Sequence, residues 1–389
     1  MKILLVTEQF PPLIGGAAIY LYNIFKRLPL DEVIVYTTKR KEVADFDREQ
    51  KLRIIRGWIW DKPLSLFSIS SLIGPIYLGI ALFRCILKEK IDIIHCGTVN
   101  PFGGYGLFFK RLLGIPYVVH TFAEEIMILQ RNRFKKKVIS HLLINANKVI
   151  AISEFMKREL IKLGVKEKDI VIIPACVDSN MFIPRNSDDL RRKLSLQDKR
   201  VILTVSRLTE RKGQDIVIKS LPNVIKNVPN IAYIIVGSGP AEDKLKTLVK
   251  DFSLQEYIIF IRWLPPESLV DYYSLCDLFV MPNRNIEDTG EVEGFGIVFL
   301  EANACGKPVI GGRSGGAEEA IIDGSTGILI DSPTDLGEVS KAILRLLLDR
   351  ELSCRMGEIG RKRAQDFFNW NVMAKKLEEL DKTIIKNRR

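Results

Sequence analysis

Val201-Ile-Leu-Thr-Val-Ser-Arg-Leu-Thr-Glu-Arg-Lys-Gly-Gln214 holds the unit from which most of this chain is built. Val201 to Val205 is a short run of aliphatic and β-branched residues, Ser206 to Gly213 is a polar and basic loop, and a helical pattern opens at Gln214. Apolar residues at consecutive rather than alternate positions read as a strand covered on both faces, the signature of a parallel sheet with crossover helices. The same order recurs downstream at Ala232–Val236, Ile258–Ile261, Leu278–Met281, Pro308–Ile310 and Gly327–Ile330. Upstream it recurs at Ile3–Thr7, Val33–Thr37, Arg53–Arg56, Ile91–His95, Tyr117–His120, Val149–Ile152 and Ile170–Ile173. The expected fold class is α/β, with two Rossmann-like, doubly wound parallel sheets.

Between the two series, Pro174 to Lys199 passes through Asp178-Ser-Asn-Met-Phe-Ile-Pro-Arg-Asn-Ser-Asp-Asp189 and a charged run, a composition expected of a linker. The boundary is placed near Pro184, giving domains over residues 1–183 and 184–369. The stretch Gly357 to Lys386 is helical in period and interrupted by Phe367, Phe368 and Trp370, so a last helix over about 370–389 is expected to cross back to the first domain. A chain of 389 residues suits two domains of this type. Ligands bind beyond the carboxyl ends of strands in open parallel sheets, so two such domains facing each other would place a site in the cleft between them.

Composition narrows the partners. Apolar residues make up 47%, which excludes a disordered chain, and 58 Lys and Arg against 47 Asp and Glu give a net charge of +11, favouring an anionic ligand or surface. The cysteines at 85, 96, 176, 276, 305 and 354 form no Cys-x-x-Cys pair and lie far from the three histidines, so no metal site and no disulfide framework is expected, in keeping with a reducing cytoplasm. Met1 to Phe10 reads as a buried strand rather than a signal peptide. Ser71 to Leu87 is strongly apolar but carries Gly74, Pro75 and Arg84 and falls short of the roughly 20 residues of a membrane span. Stacking platforms for bases are missing, so nucleic acid is not an expected partner.

The strongest chemical signal is Glu293-Gly-Phe-Gly-Ile-Val-Phe-Leu-Glu301. If Gly296 opens a helix, the amides of Phe295, Gly296 and Ile297 sit at its N-terminus and can hold an anion such as a sugar diphosphate. Glu301 then lies on the helix, within reach of vicinal ribose hydroxyls. A lone pair of carboxylates at this spacing would more often be a cap and a salt bridge; the flanking residues change that reading. Arg207 and Lys212 follow a strand and precede a helix, where cations can neutralise the charge on a leaving diphosphate without a metal ion. Alone, this loop would read as an exposed basic turn. Gly15 and Gly16 follow the first strand, where backbone without a Cβ lets a ligand approach the next helix. His120 ends a strand and is expected at the mouth of the first domain, either bonding a sugar hydroxyl or satisfied within the structure. Gly237, Ser238 and Gly239 form a further strand-end loop fit for nucleotide or sugar, as does Ser314 to Gly316.

Taken together, Gly15-Gly16, His120, Ser206-Arg207 with Lys212-Gly213, Val236 to Gly239, Glu293 to Gly296 with Glu301-Ala302, and Gly306 to Ile310 resemble the retaining glycosyltransferases of family 4, which have the GT-B fold. The stretch Glu293 to Glu319 is most similar to phosphatidylinositol mannosyltransferases and related α-mannosyltransferases, a branch that commonly uses GDP-mannose. One departure is Thr121-Phe-Ala-Glu-Glu125 in place of the His-Gly-x-Glu of some branches.

The resemblance implies that Arg207 and Lys212 bind the diphosphate, that Glu293 and the amides after it hold the donor sugar, and that Glu301 holds the ribose. It also implies that His120 sits by the donor sugar and Gly16 by the phosphates and acceptor. The expected activity is a retaining, metal-independent hexosyl transfer, mannose from GDP-mannose, to a lipid-linked or polysaccharide acceptor, with no cofactor. A UDP-sugar donor carrying glucose, galactose or an N-acetylhexosamine is the alternative, and an inactive subunit that recruits a partner to the membrane is the alternative from another class. The basic run Arg131 to Lys137 ahead of an apolar face adds the expectation of a cytoplasmic protein resting on the inner, anionic face of the membrane.

Overall fold

The computed structural model describes residues 1–13, 15–40, 43–59 and 69–388. It divides into two compact units, Met1–Pro174 with Trp370–Arg389, and Ala175–Asn369.

Unit 1 is built on seven parallel strands: β1 (Ile3–Val6), β2 (Val33–Thr38), β3 (Arg53–Gly57), β4 (Ile93–Cys96), β5 (Tyr117–Thr121), β6 (Lys148–Ala151) and β7 (Ile170–Ile172), in the spatial order β3-β2-β1-β4-β5-β6-β7. Unit 2 has six, β8 (Arg200–Val205), β9 (Ile231–Val236), β10 (Ile258–Ile261), β11 (Leu278–Met281), β12 (Val309–Gly312) and β13 (Gly327–Ile330), in the order β10-β9-β8-β11-β12-β13. Both are doubly wound Rossmann-like sheets, so the fold class agrees with the sequence, and every expected strand is present with its ends shifted by two residues at most. The central strands are buried on both faces, which is why their residues are apolar without alternation. The chain order reverses between β1 and β4 in one sheet and between β8 and β11 in the other, and ligands of such sheets bind at these switch points.

The strand expected at Ile91–His95 runs instead from Ile93 to Cys96. Ile91 still donates its N–H to Ile86 of the preceding helix, and the Asp92 carboxylate accepts from the Lys2 N–H at 2.8 Å, so both residues belong to the turn.

The chain divides between Pro174 and Ala175, ahead of the Pro184 read from the sequence. The residues between pack on unit 2: Phe182 is buried edge-on to Tyr273 at 5.8 Å, and the Arg185 N–H donates to Ser274 Oγ at 3.0 Å. The last two helices, Arg350–Phe367 and Trp370–Lys386, break at Phe368 and Asn369, where the aromatic cluster interrupts the helical period. The second of them groups with unit 1; its Trp370 ring meets Tyr20 at 5.8 Å and its Lys376 ammonium donates to the Ile172 carbonyl at 2.9 Å. Arg389, the end of the expected crossing helix, lies outside the described residues.

Candidate active site

The loops leaving β8 and β11 carry the cations of unit 2. Ser206 donates its N–H to the Val236 carbonyl and Leu208 to the Ser238 carbonyl, each at 3.0 Å, so the basic loop is sewn to the loop Gly237-Ser238-Gly239 after β9. A Cβ at Gly237, which has φ +144°, would collide with the Ser206 carbonyl oxygen, and one at Gly239 with that of Leu208. These glycines are therefore required by the approach of one loop to another, whatever they also do for a ligand. Gly213, at φ +75°, turns the chain from the basic loop into the helix Gln214–Ile225.

Lys212 and Arg211 both donate to Glu293 Oε2, the latter at 2.9 Å, and all three side chains are nearly buried. Burial pushes the Glu293 carboxyl up, yet the two cations outweigh it and hold it at about 2. Arg207, earlier on the same loop, is exposed. Arg284, just after β11, forks onto Asp215 at 2.9 and 3.1 Å and donates its backbone N–H to the Arg211 carbonyl at 2.8 Å. The basic loop is thus pinned from the neighbouring strand.

Gly296, at φ +88°, caps the helix Ile297–Ala304, as the sequence required of it. Among the described residues the N–H groups of Phe295, Gly296 and Ile297 donate to no protein acceptor, which leaves a helix N-terminus with open amides one turn from Glu293. The loop from Ser314 to Gly316 closes behind it, Gly316 N–H to the Glu293 carbonyl at 2.9 Å. Further along the helix Glu301 accepts a 2.7 Å hydrogen bond from the Tyr273 hydroxyl, and burial raises its carboxyl to about 7.

In unit 1, Gly16 opens the helix Gly16–Phe25 beside the β1/β4 switch point, and a Cβ at Gly15 or Gly16 would meet nothing within 4 Å. His120 is not at an open mouth: it is 1% exposed, and its Nε2 lies 3.0 Å from His95 Nδ1. His95 Nε2 in turn lies 3.1 Å from both oxygens of Asp381. Burial, and then the neighbouring His95, pull the His120 imidazole well below its usual range, so it is neutral. The strand ends one residue later than read, at Thr121, which places the ring within the sheet.

The structure therefore brings Lys212, Glu293, Phe295, Gly296, Ile297 and, through its loop, Gly237 to Gly239 together, with Arg207 on the same loop as Lys212. Sequence reading passed over Arg211, Arg284, Tyr273, His95 and Asp381. Arg211 had a signal, a second cation beside Lys212; the others are partners by tertiary contact alone. Among the described residues no group of three or more His, Cys, Asp or Glu side chains is placed to hold a metal ion.

Two family models match in tandem, Glycosyltransferase Family 4 over residues 14–180 and Glycosyl transferases group 1 over residues 186–363. A GDP-mannose-dependent alpha-(1-6)-phosphatidylinositol monomannoside mannosyltransferase of Mycolicibacterium smegmatis is 31% identical over 97% of each chain. The GDP-mannose-dependent monoacylated alpha-(1-6)-phosphatidylinositol monomannoside mannosyltransferase of Corynebacterium glutamicum is 29% identical over 97% of each. Among solved structures, Anabaena HepE in complex with UDP and glucose superposes with a TM-score of 0.81 at 22% identity, over 98% of this chain and 99% of that one. The chain belongs to glycosyltransferase family 4 and has the GT-B fold. It is a hexosyltransferase by family.

Proposed function

We propose that this chain transfers mannose from GDP-mannose to a glycolipid or polysaccharide acceptor, with retention at the anomeric carbon and without a metal ion. The observation that carries this reading is the cluster in unit 2, where Arg207, Arg211 and Lys212 stand on one loop and the open amides of Phe295 to Ile297 follow Glu293. Cations and a helix N-terminus suit a diphosphate. The full-length relatives named as GDP-mannose-dependent support mannose as the sugar.

In this mechanism the acceptor oxygen attacks the anomeric carbon from the face the diphosphate leaves. The bond from that carbon to the phosphate oxygen breaks, and the phosphate oxygen takes the acceptor's proton. The protein supplies position and charge: Lys212 and Arg207 stabilise the departing diphosphate, the amides at the helix start bind its oxygens, and Glu293 holds the sugar. Glu301, on the same helix, holds the ribose. Gly16 leaves room for phosphate and acceptor.

Titration of the purified protein with GDP, UDP and ADP, followed by turnover with the corresponding donor, tests the reading. Preference for GDP and release of GDP on transfer of mannose supports it. Preference for UDP keeps the family and moves the donor to glucose, galactose or an N-acetylhexosamine.

The acceptor is proposed to lie at an anionic membrane surface. Along the helix Ile69–Glu89, Ile73, Ile76, Tyr77, Ile80 and Leu87 are exposed at helical spacing with Arg84 and Lys88 beside them. Phe108 and Leu112 flank exposed Arg111 on the helix Gly104–Leu113, and Phe134 stands exposed in the basic run Arg131 to Lys137. Apolar side chains ringed by cations suit a peripheral, inner-leaflet contact. No helix among the described residues is long and apolar enough to cross a membrane. Co-sedimentation with phosphatidylglycerol vesicles at low salt is the expected result; a protein that stays in the supernatant points to an acceptor in solution.

A further inference from the structure

Unit 2 holds a cavity of about 310 Å³. It is walled by the basic loop at Thr209 and Glu210, by the first turn of the helix Gln214–Ile225 at Asp215, by the helix Glu242–Asp251 at Leu245, and by the loop after β11 at Glu291. None of Arg207, Lys212, Glu293, Glu301 and the residues Phe295 to Ile297 lines it, so it is separate from the groups assigned to the donor. Its volume lies at the lower end of ligand cavities, which run from roughly 300 to 1,000 Å³, and suits one sugar ring rather than a nucleotide.

The carboxylates of this cavity already have their charge met. Asp215 is forked by Arg284 at 2.9 and 3.1 Å, Glu210 Oε1 lies 3.4 Å from the same guanidinium, and Glu291 Oε2 lies 3.9 Å from Arg211 Nε. A cationic ligand would compete with arginines already in place, and an anionic one would meet three carboxylates. Oxygens paired in this way still keep lone pairs for O–H donors. Thr209 Oγ1 is buried with no hydrogen-bond partner among the described residues, a costly state unless a ligand supplies one. Pro240, Ala241, Leu245 and Ile286 add aliphatic surface. A neutral hexose matches both sets, with hydroxyls to donate to the acids and to Thr209 and C–H faces to lie on the aliphatic side chains.

We propose that this cavity is a second ligand site of unit 2, which takes one neutral hexose ring, either a free sugar or a sugar residue of a glycan. Thr209 joins it to the basic loop through the main chain: its N–H donates to the Arg207 carbonyl and its carbonyl accepts from the Lys212 N–H, each at 3.0 Å. An occupant bonded to Thr209 therefore sits on the loop that carries both cations. The site stands independently of which nucleotide sugar the chain uses as donor.

The test uses the full chain with 13C in its Thr, Ile and Leu methyl groups, the best-binding nucleoside diphosphate held at saturation, and mannose, glucose and galactose added in turn. The expected result is a saturable shift of the Thr209, Leu245 and Ile286 methyl signals with at least one of the sugars. Cavity methyls that move with none of the three overturn the proposal, as do shifts confined to Ile297 and its neighbours, which report sugar in the donor site. A methyl α-glycoside that binds as well as its parent sugar assigns the cavity to a residue within a glycan, and one that does not bind assigns it to a free sugar; both uphold the site. Ala241→Phe fills the cavity and should abolish the Leu245 and Ile286 shifts while leaving transfer without added sugar unchanged, and shifts that persist in it count against the site. Thr209→Val keeps the shape and removes only the hydroxyl, so it carries the test even where Ala241→Phe fails to fold. Its sugar affinity should fall about fivefold, the loss of one neutral hydrogen bond, and an unaltered affinity overturns the proposal.

Discussion

The two units carry their polar side chains in opposite ways. Unit 2 gathers Arg207, Arg211, Lys212 and Glu293 on two loops, and Glu301 on the helix that follows the second, beyond the ends of adjacent strands β8 and β11. Unit 1 sinks His95, His120 and Asp381 inside its sheet and beneath its last helix. The first arrangement is written in short motifs, because a strand-end loop supplies neighbouring residues to one place. The second joins residues 25 and 286 positions apart and has no local signature. Charge at strand ends suits a ligand that brings its own charge.

The sharpest way to break this contrast is through the cations of unit 2. Lys212→Ala should lower the transfer rate by about 10²–10³, the scale seen when one preorganised group facing developing charge is removed. Arg207→Ala should lower the rate in the same direction with no change in thermal stability, since its side chain is exposed. Steady-state rates alongside melting curves check both, and a folded Lys212→Ala protein with near-normal turnover would remove these loops from the chemistry.

Stability against pH distinguishes the two carboxylates of unit 2. Glu293 is held at about 2 in the fold against an ordinary ~4.3 unfolded, so its contribution is present above pH ~4.3 and is lost as pH falls toward 2. Its size is on the order of 3 kcal/mol at neutral pH. Glu293→Gln should therefore be clearly less stable than the parent at pH 7, with the gap narrowing in acid. Denaturant melts across that range would measure it, and a gap independent of pH would contradict the ion pair.

Glu301 has the opposite sign. Its carboxyl is raised to about 7, so the fold favours the protonated form, and ionising it costs stability as pH climbs from ~4.3 to 7. Without ligand, Glu301→Gln is expected to gain on the parent progressively across that window and to level off above it. Tyr273→Phe removes the hydroxyl that partly lowers this carboxyl, and should move the parent's window upward. Melts of the three proteins at matched pH would show this, and parallel curves would argue against a buried, titrating Glu301.

Two glycines give the smallest but cleanest contrast. Gly237→Ala forces a side chain into the Ser206 carbonyl at a positive φ, and should destabilise unit 2 by roughly 1–3 kcal/mol. Gly16→Ala meets open space and should stay within about 0.5 kcal/mol of the parent, while slowing transfer if ligand approaches that backbone. Equal losses of stability would mean that both glycines serve packing alone.

The strand-end loops and the helix start of unit 2 were legible in the sequence. Gly296 does open the helix expected of it, whereas the ion pair of Lys212 with Glu293 was not read, since each was assigned to the ligand. Arg284 was illegible because its partner Asp215 lies 69 positions away, reached only when β11 pairs with β8. The glycines after β9 were read as room for a ligand, while the structure also gives them a packing duty against the neighbouring loop. His120 was read as ending its strand at the mouth of the first domain, whereas it is buried, since nothing in Val118-Val119-His120-Thr121 announces the Phe25 and His95 that pack on it.

By itself the amino-acid sequence determined the two parallel sheets, their strands, the helix starts and the family of the chain. Those depend on apolar runs, glycine turns and motifs that act over a few residues, where backbone geometry leaves little choice. Only the tertiary structure decided which ionisable groups are buried together, and hence that one glutamate is held at about 2, another raised to about 7, and a histidine kept neutral. Desolvation and Coulomb interaction depend on distance in space, and distance in space between remote residues is set by how strands and helices pack.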